Sequence, residues 1–256
     1  MNESFSFGRF VKLFVKHTMD HYRSYLMSIA VIVGVLILGG SFFAYMITGL
    51  IDPGAQVVLF FFLLALAGTI FTSTIFGDLG DKKKSIPALL LPATTLEKFL
   101  VGWLYSYILF MVIFTIMYYF ALTAVIYFQA MRGSREQMMV FLNYKMFILY
   151  LLFSLLHSIT IFGAIFFEKL HFIKTAFCFF IAVGLAILFN TFWAKALTGK
   201  DVAPMIPFSF IAFREDNHSY VVGLKDDQIA WVMWVVVIMT ICFWGAAYFR
   251  LKEKRV

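Results

Sequence analysis

The stretch GDLGDKKKSIPALLLPATTLEKFL, Gly77 to Leu100, is the longest polar interruption in the first half of a chain that is otherwise almost continuous hydrocarbon. It carries Asp78 and Asp81, then Lys82, Lys83 and Lys84 in a row, then Pro87, a short apolar run from Ala88 to Leu91, Pro92, and Thr94-Thr95-Leu96-Glu97. Threonine followed three residues later by glutamate is a capping-box pattern: the hydroxyl accepts from a free backbone N–H and the carboxylate reaches back to the cap. The pattern predicts a helix starting near Thr94 and running into the apolar segment from Leu100. Ser85 is placed to cap a shorter helix with Pro87 in its first turn. Two readings of the stretch stand side by side. One is a solvated connector whose positive run sets topology; the other is a cytoplasmic loop gripped by a soluble partner.

Composition bounds the choice. Of 256 residues, 62% are hydrophobic, 20% aromatic and only 14% charged, and the mean hydropathy is +0.91. A soluble domain sits nearer half apolar and a quarter charged. The chain therefore reads as an all-α integral membrane protein. Its net charge of +7 falls beside the apolar runs, where it serves orientation and headgroup contacts, and no nucleic-acid partner is implied. Cys178 and Cys242 both lie inside apolar runs and indicate no disulfide framework.

Outward from the central stretch, six spans are predicted at about 26–50, 57–76, 100–128, 144–167, 172–193 and 229–249. Residues 1–25 read as a basic amphipathic helix rather than a signal peptide. Phe7, Phe10, Val11 and Phe14 recur at helical spacing, and Arg9, Lys12 and Lys16 take another face, which suits the membrane interface. Gly34, Gly39, Gly40 and Ser41 give the first span a small-residue patch for close helix approach. The third span exceeds the roughly 20 residues that a bilayer core needs, so it tilts or projects. Residues 194–228 form a long outer connector. Within it Ala203 to Phe213 is apolar, too short to span and interrupted by Pro204 and Pro207; a re-entrant helical hairpin and a surface loop both fit.

Orientation follows from the basic residues. Arg9, Lys12, Lys16, Arg23, Lys82 to Lys84, Lys98, Lys169, Lys174, Arg250, Lys252, Lys254 and Arg255 fall on one side, twice as many as on the other. Both termini and the 77–99 loop are expected in the cytoplasm.

The chemistry-bearing motifs are few. There is no phosphate-binding GxxxxGK[ST] loop, no HExxH, no Cys/His cluster at metal-ligand spacing and no GxSxG elbow, so no catalytic, cofactor or metal site is expected. The span cores lack Asp, Glu, Lys and Arg, the working parts of ion-coupled carriers and proton pumps. His157 lies midway along the fourth span near Ser154, Ser158 and Thr160. It reads either as a hydrogen-bonding packing residue or as a gating or substrate contact.

This arrangement resembles the membrane subunit of ABC-2 type exporters: a basic amphipathic N-terminal helix, six spans with both ends inside, a structured loop between spans two and three, and a long outer segment between spans five and six. The run LLLPATTLEKFLVGWLYS, Leu89 to Ser106, resembles the same region of small bacterial permeases of that family. The resemblance implies an ABC-2 type permease fold in a bacterial cytoplasmic (inner) membrane. It further implies pairing as a homodimer or with a second permease, and a separate ATPase subunit that hydrolyses the ATP. The 1–25 segment would be an elbow helix in the interface, and the 194–228 segment a re-entrant cap over the exit path. A coupling helix within Gly77 to Leu91 would seat on the ATPase, with Asp78, Asp81, Lys82, Lys83 and Lys84 as polar contacts and Leu79 and Ile86 as anchors. The alternatives from other classes are a stand-alone membrane scaffold or accessory protein and a channel without an ATPase partner.

Overall fold

A computed structural model describes residues 5–46, 53–80, 93–130, 143–215 and 218–253. The chain runs α1 (Phe7–Met46), α2 (Pro53–Gly80), α3 (Thr95–Trp103), a π-helical turn (Leu104–Leu109), α4 (Phe110–Ala130), α5 (Tyr144–Phe166), α6 (His171–Thr198), β1 (Ile211–Glu215), β2 (His218–Val222) and α7 (Asp226–Glu253). α3, the π turn and α4 form one continuous third span. Among the described residues, six helical segments are long and apolar enough to cross a membrane, so the chain is an all-α, multi-pass membrane protein to which the described residues add a small hairpin.

Side-chain contacts fix the order and direction of the helices. α1 runs parallel to the third span over their whole lengths: Ser6 contacts Glu97 at one end, the Phe14 and Tyr105 rings lie 4.8 Å apart, and Gly40 abuts Val125 at the other end. α2 runs antiparallel to that pair, with Phe76 on Gly102, Phe71 against Phe110, and the Tyr118 hydroxyl donating to Gln56 O at 2.9 Å. α5 is central: half of its apolar window is buried, against 6% for α1, α6 and α7. It packs on α2, on α7 and, through the close approach of Gly163 to Thr175, on α6. Strict alternation of direction follows, and it brings Arg9, Phe99 and Leu251 to one end of the bundle. Both described ends of the chain therefore lie on the same side.

Hydrocarbon is as apolar as leucine, so contacts between spans rest on close packing and hydrogen bonds rather than on water exclusion. Two apolar clusters supply the packing. One joins Phe60, Phe114, Tyr118, Met146 and Phe153; the other, nearer the chain ends, joins Phe76, Phe99, Ile161, Ile165 and Leu251. His157, four residues from both Phe153 and Ile161, sits between them.

Several sequence expectations are revised. Residues 7–46 form one unbroken helix of 40 residues, about 60 Å long at 1.5 Å per residue. The amphipathic 1–25 segment is thus continuous with the first span instead of turning as a separate elbow. No proline interrupts it, and its Phe14 face docks on the third span. α2 extends through Gly80, so the 77–99 loop loses its first four residues to helix. α6 continues past 193 through helix-favouring Ala194 to Leu197 and stops at Gly199, which takes the left-handed conformation (φ 65°) suited to a helix end.

The outer connector is not a re-entrant helical hairpin. Pro204 and Pro207 keep it out of helix, and β-branched and aromatic residues at alternating positions pair as an antiparallel hairpin, Ile211 opposite Val222 and Phe213 opposite Tyr220. Lys195 lies 2.6 Å from Asp201 at the foot of this segment and holds that carboxyl below its ordinary range by hydrogen bond and charge. Asn190 donates to Met205 O at 3.4 Å, so the extended chain folds back along α6.

Candidate functional site

The described part of the predicted coupling segment falls at the end of the bundle that carries both described chain ends. Asp78 and Leu79 lie in the last turn of α2. Asp81, Lys82, Lys83, Lys84 and Ile86 lie outside the described residues. The connector re-enters the described structure at Ala93, and at Thr94 the geometry is specific. Thr94 caps α3: its Oγ1 accepts from the Glu97 N–H at 3.2 Å, and Glu97 Oε2 accepts from the Thr94 N–H at 2.9 Å. The capping box read from the sequence is formed.

Glu97 does more than cap. Its other oxygen, Oε1, accepts from the Ser6 backbone N–H at 2.8 Å and from the Arg9 guanidinium at 3.1 and 3.3 Å. The side chain is fully buried, while Arg9 is 39% exposed. Charge-assisted bonds from a guanidinium and two backbone donors are the strong kind. One carboxylate thus fastens three things: the end of the connector, the first turn of the third span and the first turn of α1.

Beginning at Leu104, the π turn distributes neighbouring side chains to different helices. Its widened backbone is marked by the Phe110 N–H donating to Tyr105 O, five residues back. Tyr105 faces α1: it hydrogen-bonds Thr18 and stacks near Phe14, His17 and Tyr25. Ser106 and Tyr107 face the other way. Ser106 Oγ lies 2.9 Å from His157 Nε2, and Tyr107 Oη lies 2.5 Å from Ser154 Oγ. Single-turn π segments inside α-helices are frequent at functional positions.

His157 has both ring nitrogens occupied. The Trp244 indole N–H donates to Nδ1 at 3.3 Å, which assigns the ring proton of the neutral form to Nε2, where it is donated to Ser106 Oγ. Ser106 in turn points to Trp103 O at 3.5 Å. The result is a directed chain, Trp244 to His157 to Ser106 to Trp103, that ties α7, α5 and the third span at mid-depth. Among the described residues, no three His, Cys, Asp or Glu side chains group as metal ligands.

Sequence reasoning missed Arg9 as the partner of Glu97, and Trp244 and Ser106 as partners of His157. Each pairing joins segments 51 to 88 residues apart, and a single sequence carries no signal at that range. The fold and these joints define a multi-pass helical membrane protein whose first and third spans are latched together at one end. No family model, curated protein or solved structure matches the chain.

Proposed function

We propose that this chain is the permease subunit of an ATP-driven ABC-2 type exporter, working in the cytoplasmic membrane with a separate ATPase subunit and paired with a second permease. The observation that carries the reading is the Glu97 latch. A force applied to the 77–94 connector reaches Thr94, and through Glu97 it acts on the third span and on α1 at once. An ATPase seated on the connector would move two long helices as one lever. A partner shifts such an equilibrium only by binding its two states differently, so the connector would make different contacts in the two ATPase states. Asp78, Asp81 and Lys82 to Lys84 are the proposed polar contacts, with Leu79 and Ile86 as anchors. The phosphate loop that the sequence lacks would then reside on the other polypeptide.

The test is affinity purification of the tagged protein in mild detergent, with mass spectrometry and an ATPase assay on the eluate. The proposal expects a stoichiometric ATPase that is lost when Gly77 to Leu91 is scrambled while the protein still inserts. A clean homo-oligomer without a nucleotide-hydrolysing partner would sink it in favour of a scaffold or channel. Within a recovered complex, Asp78→Ala with Asp81→Ala should weaken ATPase stimulation; unchanged stimulation removes those carboxylates from the coupling contact.

A further inference from the structure

α6 carries its own depth scale. Residues 175–194 contain no charged side chain between Lys174 and Lys195, and they span about 30 Å of helix, the thickness of a hydrocarbon core. Lys195 and its partner Asp201 therefore mark the edge of the core on the side away from the described chain ends. From that pair the connector turns inward. Asn190, whose side-chain amide donates to Met205 O, stands about 7 Å inside Lys195. Val202 pairs with Phe213, and the Ala203 N–H donates to Ala212 O at 3.0 Å, so residues 201–205 descend beside the strand that climbs into β1. The innermost point is the turn from Ile206 to Ser209, closed by the Ser209 N–H on Ile206 O at 3.2 Å.

The chemistry of this turn suits that depth. Residues 202–213 carry no charge, and Ile206, Phe208 and Phe210 are exposed while Val202 and Met205 are buried. Backbone that approaches lipid needs its polar groups paired or absent. Pro204 and Pro207 have no N–H, Met205 O accepts from Asn190, and Ile206 O accepts from the Ser209 N–H and hydroxyl. Proline followed by a residue of positive φ is the pattern of a type II turn, whose third position favours glycine. Phe208 stands there at φ 62°, a strained conformation for a bulky residue. Its ring is exposed, so packing within the described chain offsets little of that strain. α6 itself indicates what surrounds the ring. This helix packs through His171 on Gly77 and through Thr175 on Gly163, and among its described residues none beyond Thr175 is buried. The turn thus lies along the outer part of a peripheral helix, in the stretch that also presents exposed Phe189, Phe192 and Trp193. Aromatic side chains collect at membrane interfaces.

We infer that the turn around Phe208 is a membrane anchor. Ile206, Phe208 and Phe210 insert among the lipid chains just below the headgroups of the leaflet away from the described chain ends, and they hold the hairpin against that surface. The inference does not depend on an ATPase partner. It holds equally for a scaffold or a channel, so the purification described above tests the proposed function separately.

The experiment is spin-label accessibility in the full-length protein reconstituted into phosphatidylcholine vesicles, with Cys178 and Cys242 replaced by alanine. Single labels go on Phe208→Cys and, so that no local distortion decides the result, on Ile206→Cys and Phe210→Cys. His218→Cys, opposite Glu215 at the far end of the hairpin, is the aqueous control, and gel filtration confirms that each labelled variant is folded. Molecular oxygen concentrates in hydrocarbon, whereas a water-soluble nickel chelate stays outside it. We expect oxygen collisions to exceed nickel collisions at 206, 208 and 210, and the order to reverse at 218. Nickel dominance at the three turn positions overturns the inference, because the turn would then lie in water. Weak collision with both reagents there also overturns it, because protein would cover the turn; dipolar broadening between labels would identify that protein as a second copy of the chain.

Discussion

Glu97 is a buried carboxylate whose four donors come from two segments, the start of α1 and the end of the connector, and its removal should be felt in both and in the third span that carries it. Glu97→Ala leaves the Ser6 and Thr94 N–H groups and the Arg9 guanidinium without their acceptor. We expect a loss of about 2 kcal/mol, given a charged hydrogen-bond network whose arginine is partly solvated. Glu97→Gln retains an acceptor for the cap and should lose about half as much. Equilibrium unfolding in mixed detergent and sodium dodecyl sulfate measures both. His157 poses a different question, because its two nitrogens are spent on Trp244 and Ser106. His157→Phe should cost about 1 kcal/mol, the scale of interhelical hydrogen bonds in membranes, in the same unfolding assay. A change in transport or ATPase coupling without loss of stability would instead make it a gate. The sequence marked both residues. Thr94 and Glu97 are near neighbours whose spacing alone specifies a cap, whereas His157 could only be marked as an ionisable group in hydrocarbon, its partners lying on other helices.

Among elements, the tight turn between α5 and α6 carries a local conflict. Leu170 has φ 53°, a left-handed conformation, and its side chain is 64% exposed. A residue with a Cβ pays about 1–2 kcal/mol there, and little packing is available to offset it. Leu170→Gly should raise stability by about 0.5–1 kcal/mol, allowing for the greater freedom of glycine in the unfolded chain. A drop in the thermal midpoint of the purified protein would mean that the leucine makes a contact that outweighs its backbone. The six spans were legible because each is a long apolar run bounded by charges or turn residues. The hairpin at Ile211–Glu215 and His218–Val222 was less so, although the alternation around Asp216-Asn217 was there to be read. Its apolar content invited a membrane interpretation, and the pairing of Ile211 with Val222 is a contact rather than a composition. The π turn had no sequence mark, since no proline or glycine lies within Leu104–Leu109.

For the whole molecule, alternation of the helices puts both described chain ends on one side, and on the distribution of lysine and arginine we propose that this side faces the cytoplasm. Green fluorescent protein fused at either terminus should therefore fluoresce in bacteria. Alkaline phosphatase inserted in the 131–142 or 199–210 connector should be active, and the same enzyme at the C-terminus inactive. A fluorescent insertion at 131–142 would reverse the orientation while leaving the bundle intact. The parallel docking of α1 on the third span was the global feature that the sequence concealed. The basic residues of α1 suit an interfacial helix as well as they suit the exposed face of a docked one, and only the partner strip of Phe14, His17 and Thr18 on Tyr105 decides between them.

The latch between Arg9 and Glu97 also sets a timetable for synthesis. The two residues are 88 apart, and at translation speeds of about 5–20 residues per second the ribosome needs roughly 4 to 18 s to supply the second after the first. Throughout that interval the beginning of α1 lacks the carboxylate on which it docks, and a basic amphipathic helix in that condition is expected to lie in the membrane interface. Emergence of Glu97 supplies the acceptor that fastens it to the third span. A chain stalled before residue 97 is expected to leave the start of α1 unfastened and open to added protease, whereas the finished chain protects it.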